Sequence, residues 1–319
     1  MHLPAGPWRT VLDALCAHFA FIARATWIER MARGVVLDME GRALGHTHPY
    51  REGMRVQYFR EIADEPAIPF VASVLHMDEH LLVADKPHFL PVTPVGRFVR
   101  ETLLARLIEQ TGNALLTPLH RIDRDTAGLV LFSTNIVTRA AYHALFREQR
   151  ISKYYEARAG ALPEEAWPRL PGSAAPLSLL RRSRLVRGEP FFRMQESAGP
   201  VNSETRIELL AGLARGTGAA RYGLHPRTGR KHQLRVHMAA IGAGISNDLL
   251  YPTLLDRAAD DYTRPLQLLA RRLDFVDPMS GRPRRFESRL QLLRQNDAPL
   301  PGRAMVSARA TAPSFPPPA

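Results

Sequence analysis

A chain of 319 residues, of which 45% are hydrophobic, can bury a substantial core and predicts two domains or one large domain with an appendage. No run approaches the roughly 20 apolar residues of a membrane helix, and the N-terminus lacks a signal-peptide pattern. The single cysteine, Cys16, allows neither an internal disulfide nor a zinc cluster. We therefore expect a cytoplasmic protein without a membrane partner.

The charge of the chain indicates a polyanionic partner. The 43 basic and 31 acidic residues give a net charge of +12 and a pI near 10.6. Arginine-rich surfaces bind phosphates through bidentate hydrogen bonds, which favours a nucleic acid as that partner. An arginine-rich codon usage would explain the same composition, because Lys86, Lys153 and Lys231 are the only lysines.

Residues 1 to 72 differ in pattern from the rest of the chain. They predict a basic helix from 22 to 32 that ends at Gly34, and short strands at 35 to 37 and 56 to 59. A basic helix beside a small hairpin is typical of an RNA-binding appendage and equally of a structural cap. The acid- and proline-rich stretch ADEPAIP follows as a linker.

The main domain, residues 73 to 293, predicts strands mixed with helices. Strands are expected at 81 to 84, 129 to 132 and 154 to 159, helices at 101 to 111 and 136 to 149, and a hairpin from 203 to 226. The second helix would bury a face formed by Val137, Ala140, Ala141, Ala144 and Leu145. Residues 228 to 245 fit a helix, although 232 to 238 fit a strand nearly as well. Residues 294 to 319, rich in Pro, Ala and Arg, predict a disordered tail.

The stretch TPLHRIDRDTAGLVLFS places Asp123 between Arg121 and Arg124, ahead of an apolar strand. By itself an acid in this setting is more typical of an ion pair than of a catalyst. The two arginines would also stabilise an ionised carboxylate in a cleft. Attack on a sugar carbon, or removal of a sugar proton, requires such a carboxylate, so the stretch alone leaves both roles open.

Tyr155 and Arg235 are ambiguous in the same way. Tyr155 shares a strand face with Ala157 and Ala159, which is typical of a core residue, although a ring in a cleft wall can stack on a flipped base. Arg235 is typical of a surface or ion-pair arginine, but near Asp123 it could pair with that carboxylate or hold a phosphate. The sequence contains no GxSxG, HExxH or Walker motif and no paired metal-ligand spacing, so we expect no metal site.

Four ordered motifs carry a resemblance to a known family: LLVADKP, HRIDRDTAGLVLF, KYYEA and HPRTGRKHQLRVH. Over roughly residues 74 to 290 the chain resembles the RluA-type pseudouridine synthases of ribosomal RNA and tRNA. The resemblance implies an α+β fold, with a mixed, largely antiparallel sheet, flanking helices and a basic central cleft. Residues 1 to 72 look like the S-four-like RNA-binding module that many members carry.

The resemblance also implies an activity and its residues. The enzyme would isomerise specific uridines of rRNA or tRNA to pseudouridine, as a monomer and without a cofactor. Asp123 matches the family's catalytic aspartate, Tyr155 its active-site tyrosine, and Arg235 the basic partner of the aspartate. Contacts with RNA are expected from six further basic residues: Arg121, Arg124, Lys86, Lys153, Arg230 and Lys231.

Some segments depart from the family pattern. The GDxxYG segment appears as SNDLLYP, with Asn247 at a glycine position, which a left-handed backbone would tolerate. LLA replaces LHA at 268 to 270, and LLRRSRLVRGEPFFRMQESAGPVNSE differs from the commonest members. Two alternatives stay open: a catalytically silent RNA-binding or ribosome-assembly factor on the same fold, and a carboxylate-pair glycosidase in which a second acid, the nearest being Asp125, faces Asp123.

Overall fold

The computed structural model describes residues 1–20, 22–58, 65–167, 177–211, 219–256 and 261–293. The chain divides into two compact units, Met1–Asp64 and Glu65–Ala319. This division precedes the boundary predicted after residue 72, because the carboxylate of Glu65 accepts the backbone N–H groups of Val99, Arg100 and Glu101 at 2.6, 2.8 and 2.6 Å. The predicted tail, 294 to 319, lies outside the described residues.

The first unit contains α1 (Val11–His18), α2 (Arg24–Ala32), β1 (Val36–Leu37) and β2 (Gln57–Tyr58). Thr10 begins α1 through a capping box with Asp13. The left-handed Gly34, with a φ of +69°, follows the end of α2 as predicted. The two helices and the small sheet enclose Trp27, which is fully buried. The predicted helix and strands are therefore present, and α1 is an additional element.

The second unit contains three α-helices and eleven strands among its described residues. In chain order they are β3 (Ser73–Met77), β4 (Leu81–Lys86), α3 (Leu103–Thr111), β5 (Thr117–Pro118), β6 (Ala127–Ser133), α4 (Arg139–Arg147), β7 (Ile151–Gly160), β8 (Ser178–Arg187), β9 (Met194–Ser197), β10 (Ser203–Ala211), β11 (Ala219–Pro226), α5 (Gln233–Ala240), β12 (Leu268–Val276) and β13 (Pro283–Glu287). No helix in the described part of the chain is long and apolar enough to cross a membrane.

These eleven strands form one mixed sheet. Nine of them follow the order β3-β4-β6-β12-β7-β11-β10-β8-β9, while β5 pairs with β6 and β13 with β12. The β6–β12 pair is parallel, and the other strand pairs of this sheet are antiparallel. The predicted α+β fold with a largely antiparallel mixed sheet is confirmed.

Helices α3 and α4 cover opposite faces of the sheet. Leu82 of β4 belongs to one apolar cluster with Leu103 of α3, and its neighbour Leu81 belongs to another with Tyr142 of α4. Neighbouring side chains of a strand point to opposite faces, so β4 is covered on both sides. Its six residues are all buried, as expected for a central strand.

The structure differs from the sequence prediction at the start of α4. Helix α4 begins at Arg139, and Val137 and Ala140 are exposed, so the predicted buried face is wrong in its first turn. The Asn135 side chain accepts the Val137 N–H at 2.9 Å and holds this segment in a turn before the helix.

The segment after 228, which fitted a helix or a strand, forms a helix. Helix α5 begins after His232, whose backbone is left-handed with a φ of 54°.

Strands β10 and β11 form the predicted hairpin, whose loop at 212–218 lies outside the described residues. Leu224 of β11 and Ala157 of β7 pack with Leu234 and Met238 of α5 in one apolar cluster. This packing fixes α5 against the middle of the sheet, beside the residues that follow.

Candidate active site

Asp123, Tyr155 and Arg235 line a single cavity of about 100 Å³. Asp123 comes from the turn before β6, Tyr155 from β7 and Arg235 from α5. Arg121, Lys153, Arg230 and His232 line the same cavity, together with the apolar side chain of Leu268. Residues that are far apart in the sequence therefore meet in one small space that combines a carboxylate, a phenol ring and several cations.

Asp123 lies in a turn, residues 121–126, that is anchored at both ends. Its backbone carbonyl accepts the N–H of Thr126 at 3.2 Å, and Thr126 is buried at the start of β6. The neighbouring Ile122 packs against the apolar cluster that covers α3. The Asp123 side chain stays 26% exposed, so a carboxylate on a rigid backbone faces the cavity.

Arg235 is oriented by a buried carboxylate. Its Nε and Nη2 atoms donate to the two Asp248 carboxylate oxygens at 2.7 and 2.6 Å, and the Asp248 side chain is fully buried. The remaining Nη1 donates to Asp123 Oδ2 at 3.4 Å. Asp248 thus holds the guanidinium in a bidentate pair, which leaves one edge of Arg235 for Asp123.

His232 lies next to Asp123, and Tyr251 in turn contacts His232. His232 Nε2 lies 3.9 Å from Asp123 Oδ1, and its Nδ1 is 2.9 Å from the Tyr251 hydroxyl. Burial lowers the pKa of His232, although the Asp123 charge opposes this, so the ring is neutral at pH 7. With the Tyr251 hydroxyl donating to Nδ1, the ring presents Nε2–H to Asp123.

Tyr155 is partly buried against the cluster that contains Ala157 and Ala159. Burial, and secondarily the Asp123 charge, raise the pKa of Tyr155 above its ordinary value. The hydroxyl is therefore neutral at physiological pH. A neutral phenol ring beside a carboxylate offers a stacking surface and a polar group in one side chain.

The cavity wall is positively charged. Lys153 Nζ donates to the Thr228 carbonyl at 2.9 Å, and burial lowers the pKa of Lys153 to about 8. Arg121 and Arg230 are exposed where they line the cavity. No cluster of metal-ligating side chains occurs among the residues that the structure describes. The arrangement suits a planar, uncharged base attached to a phosphate backbone.

Residues 80–240, half of the chain, match the family model described as RNA pseudouridylate synthase. The chain belongs to the RNA pseudouridylate synthase family. It is 32% identical over 243 residues to an uncharacterized RNA pseudouridine synthase of Synechocystis, covering 76% of this chain and 79% of that protein. It is 29% identical over 199 residues to the dual-specificity RNA pseudouridine synthase RluA of Pasteurella multocida, covering 58% of this chain and 79% of that protein.

These similarities confirm the predicted RluA-type family and its class of activity: the chain is an isomerase that converts uridine to pseudouridine in RNA. The fold is similar to that of human RNA pseudouridylate synthase domain containing 1, with a TM-score of 0.53 and 22% identity. That comparison covers 70% of this chain and 86% of the human chain.

Three of the six residues predicted to contact RNA do not line the cavity of this pseudouridylate synthase: Lys86, Lys231 and Arg124. Lys86 is fully buried and donates to the carbonyls of Pro87 and Arg124 at 2.9 and 3.0 Å, so it faces the protein interior and cannot contact RNA directly. Burial lowers the pKa of Lys86 to about 7. Lys231 is exposed and does not line the cavity.

Arg124 was expected to pair with Asp123, but its side chain pairs with Asp125 instead. Its Nε donates to Asp125 at 3.0 Å and its guanidinium lies 5.8 Å from the centroid of the Phe98 ring. The arginine that contacts Asp123 is Arg235, whose Nη1 donates to Asp123 Oδ2. Asp125 does not line the cavity, so the second acid that a carboxylate-pair glycosidase requires is not opposite Asp123.

Asp248, Tyr251 and His232 were not predicted as site residues. Asp248 and Tyr251 occupy the acid and tyrosine positions of SNDLLYP, so the family segment GDxxYG was the signal that could have identified them. Asn247, at the glycine position, has a left-handed φ of 62°, and its side chain donates to the Pro265 carbonyl at 3.0 Å. The left-handed backbone predicted for Asn247 is therefore present, and the hydrogen bond to Pro265 holds its side chain.

Proposed function

We propose that this enzyme isomerises specific uridines of rRNA or tRNA with Asp123 as the essential carboxylate. The observation that carries the proposal is the cavity in which Asp123 lies beside Tyr155 and Arg235. Arg235 Nη1, at 3.4 Å, stabilises the ionised carboxylate, and the fixed turn directs it toward the space that a base would occupy.

The reaction balances without any added reactant. The N1–C1′ bond of uridine breaks, a C5–C1′ bond forms, the hydrogen on C5 is released as a proton and N1 gains a proton. The carboxylate of Asp123 serves either as the nucleophile at C1′ or as the base that removes a sugar proton, and both routes need it ionised. Tyr155 would stack on the turning base and assist removal of the C5 proton. We accordingly expect no cofactor.

The target uridine must leave its stack to reach Asp123, which costs a few kcal/mol. Exposed basic side chains near the cavity can offset that cost through phosphate contacts, and Arg121, Arg230 and Lys231 are the candidates. Lys153, deeper in the wall, would contact the nucleotide itself.

We further propose that the protein acts in the cytoplasm as a monomer and that its first unit is an S-four-like RNA-binding module. The exposed arginines at the two ends of α2, Arg24 and Arg33, support an RNA-binding role for that unit, whereas Arg30 is buried against Trp27. No observation on the described residues, and none of the comparisons, favours a catalytically silent RNA-binding factor.

The test is a transcriptome-wide map of pseudouridine in cells that carry Asp123→Asn in place of the wild-type protein. We expect at least one rRNA or tRNA uridine to lose its modification, which would also name the substrate. Glu109→Gln, an exposed acid on α3, is the matched control and should leave the map unchanged. If Asp123→Asn changes no position, Asp123 is not essential.

A further inference from the structure

Two adjacent aromatic side chains are exposed at the tip of the β8–β9 hairpin. Phe191 is 71% and Phe192 37% exposed, and their ring centroids lie 5.6 Å apart at an interplanar angle of 79°. Neither ring belongs to any of the apolar clusters of the described core. Paired exposed rings of this kind usually mark a surface that binds another molecule.

The hairpin that carries these rings is strongly basic. Residues 178–197 contain five arginines and two glutamates. Glu196 pairs with Arg181, within the hairpin. Arg187 is exposed, and its side chain makes no hydrogen bond or ion pair with any residue that the structure describes, while its backbone pairs with Met194. Arg184 is also exposed, and its Nη1 donates to the Ala198 carbonyl at 3.0 Å, not to an acid. The charge next to the rings is thus available for phosphates.

The hairpin is connected to the active site through Tyr251. The guanidinium of Arg193, the residue after Phe192, lies 5.1 Å from the Tyr251 ring centroid, and that of Arg235 lies 5.4 Å from the same centroid. The Met194 N–H donates to the Tyr251 hydroxyl at 2.6 Å. Because that hydroxyl also contacts His232, the hairpin that carries the exposed rings is in contact with the surroundings of Asp123.

We propose that Phe191 and Phe192 form a stacking platform for unpaired RNA bases that flank the target uridine. This inference rests on the proposed function of the cavity. Aromatic rings beside arginines are the combination that binds single-stranded nucleic acid, since every base has a face that can stack and every nucleotide carries a phosphate. A protein partner would use the rings as an apolar anchor, but the net positive charge around them favours a polyanion. The platform would help to select which uridine enters the cavity.

Fluorescence anisotropy with the purified full chain and a labelled oligouridylate of about 12 nucleotides tests the platform. Base stacking on an aromatic side chain contributes about 1–3 kcal/mol per base, so Phe191→Ala with Phe192→Ala should weaken binding at least about 5-fold to 160-fold, the loss of one stacked base. Tyrosine at both positions should restore wild-type affinity. Leucine at both should not, because leucine keeps the apolar surface but has no π-face.

The outcomes separate this inference from the proposed function. Wild-type affinity in the double alanine variant, or full rescue by leucine, would overturn the stacking platform; rescue by leucine would point to apolar docking of a protein instead. Asp123→Asn should bind the same oligonucleotide as tightly as the wild type. If Asp123→Asn still forms pseudouridine while the double alanine variant loses affinity for the oligonucleotide, the proposed role of Asp123 is refuted and the stacking platform is supported.

Discussion

At the scale of single residues, the site depends on how one buried cation is shared between two carboxylates. Arg235 gives two hydrogen bonds to the buried Asp248 and one longer hydrogen bond to the partly exposed Asp123. Asp248 also accepts the N–H groups of Leu250 and Tyr251 at 2.8 and 3.2 Å. Asp248 is therefore a positioning residue, which fixes the arginine edge that faces Asp123.

We expect Asp248→Asn to impair both stability and activity. It leaves the Arg235 guanidinium without its buried counter-charge, and breaking a buried ion pair from one side costs about 3–5 kcal/mol. The free energy of unfolding, from urea denaturation, should fall by that order, and the isomerisation rate should fall more than the RNA affinity.

A double-mutant cycle provides the control for Asp248. Arg235→Met with Asp248→Leu removes both charges together, so it should destabilise the protein less than the sum of the two single changes. Additive effects would show that the pair does not act as a unit.

At the scale of elements, the parallel pairing of β6 with β12 depends on one glycine. Gly128 has a φ of +113°, and a Cβ added there would lie 2.2 Å from the backbone oxygen of Ala270. The two strands thus approach too closely for a side chain, directly after the turn that carries Asp123. Both the pairing of β6 with β12 and the position of the turn that carries Asp123 depend on this contact.

Gly128→Ala should accordingly destabilise the fold by about 3 kcal/mol or more, since the clash is with backbone and the φ is unfavourable for other residues. Urea denaturation measures the effect. Gly281→Ala is a matched control: it too has a positive φ, of +68°, but its added Cβ would contact nothing within 4 Å. Equal losses in both variants would refute the close-approach explanation.

Elements with a strong apolar pattern were predictable from the sequence, and those defined by long-range pairing were not. Apolar runs predicted β4 and β6, whereas the pattern after 228 fitted a strand nearly as well as the helix α5 that forms there. The parallel β6–β12 pair joins segments far apart in the sequence, and local patterns carry no information about it. The first turn of the predicted α4 failed because Asn135 stabilises a turn there.

The candidate site, like the fold, could be predicted from the sequence only in part. The family motifs identified Asp123, Tyr155 and Arg235, and the structure places all three in one cavity. The partners of Arg124 and Lys86 could not be predicted, because a charged side chain in a turn can point to either side. Only the folded chain shows that Arg124 pairs with Asp125 and that Lys86 is buried.

At the scale of the whole molecule, one buried and two half-buried histidines make the main domain sensitive to acid. His237 of α5 is fully buried, and its ring nitrogens contact the hydroxyls of Ser183, Ser203 and Thr205 at 2.9 to 3.0 Å. Burial lowers the pKa of His237 to about 4, that of His88 to about 4 and that of His120 to about 3. Each ring is neutral in the folded protein at pH 6.

The free energy of unfolding should therefore fall as the pH falls from 6.5 to 4. In this window the unfolded chain binds protons that the folded chain excludes, and each such histidine contributes up to about 1.4 kcal/mol per pH unit. Above pH 6.5 the contribution is complete. Urea denaturation across this range should show the slope, and His237→Gln, which cannot take up a proton, should flatten it. An unchanged slope in that variant would exclude His237 as a source.

Release of tritium from RNA labelled at uridine C5 shows whether Asp123 performs the isomerisation. The C5 hydrogen is lost only when C5 bonds to the sugar, so its release reports the reaction itself. With purified full-length protein and the RNA that the pseudouridine map identifies, we expect Asp123→Asn to bind normally and to release tritium about a thousandfold more slowly or not at all. Release by Asp123→Asn at more than about a tenth of the wild-type rate would contradict the account, because each tenfold step is only 1.36 kcal/mol of barrier.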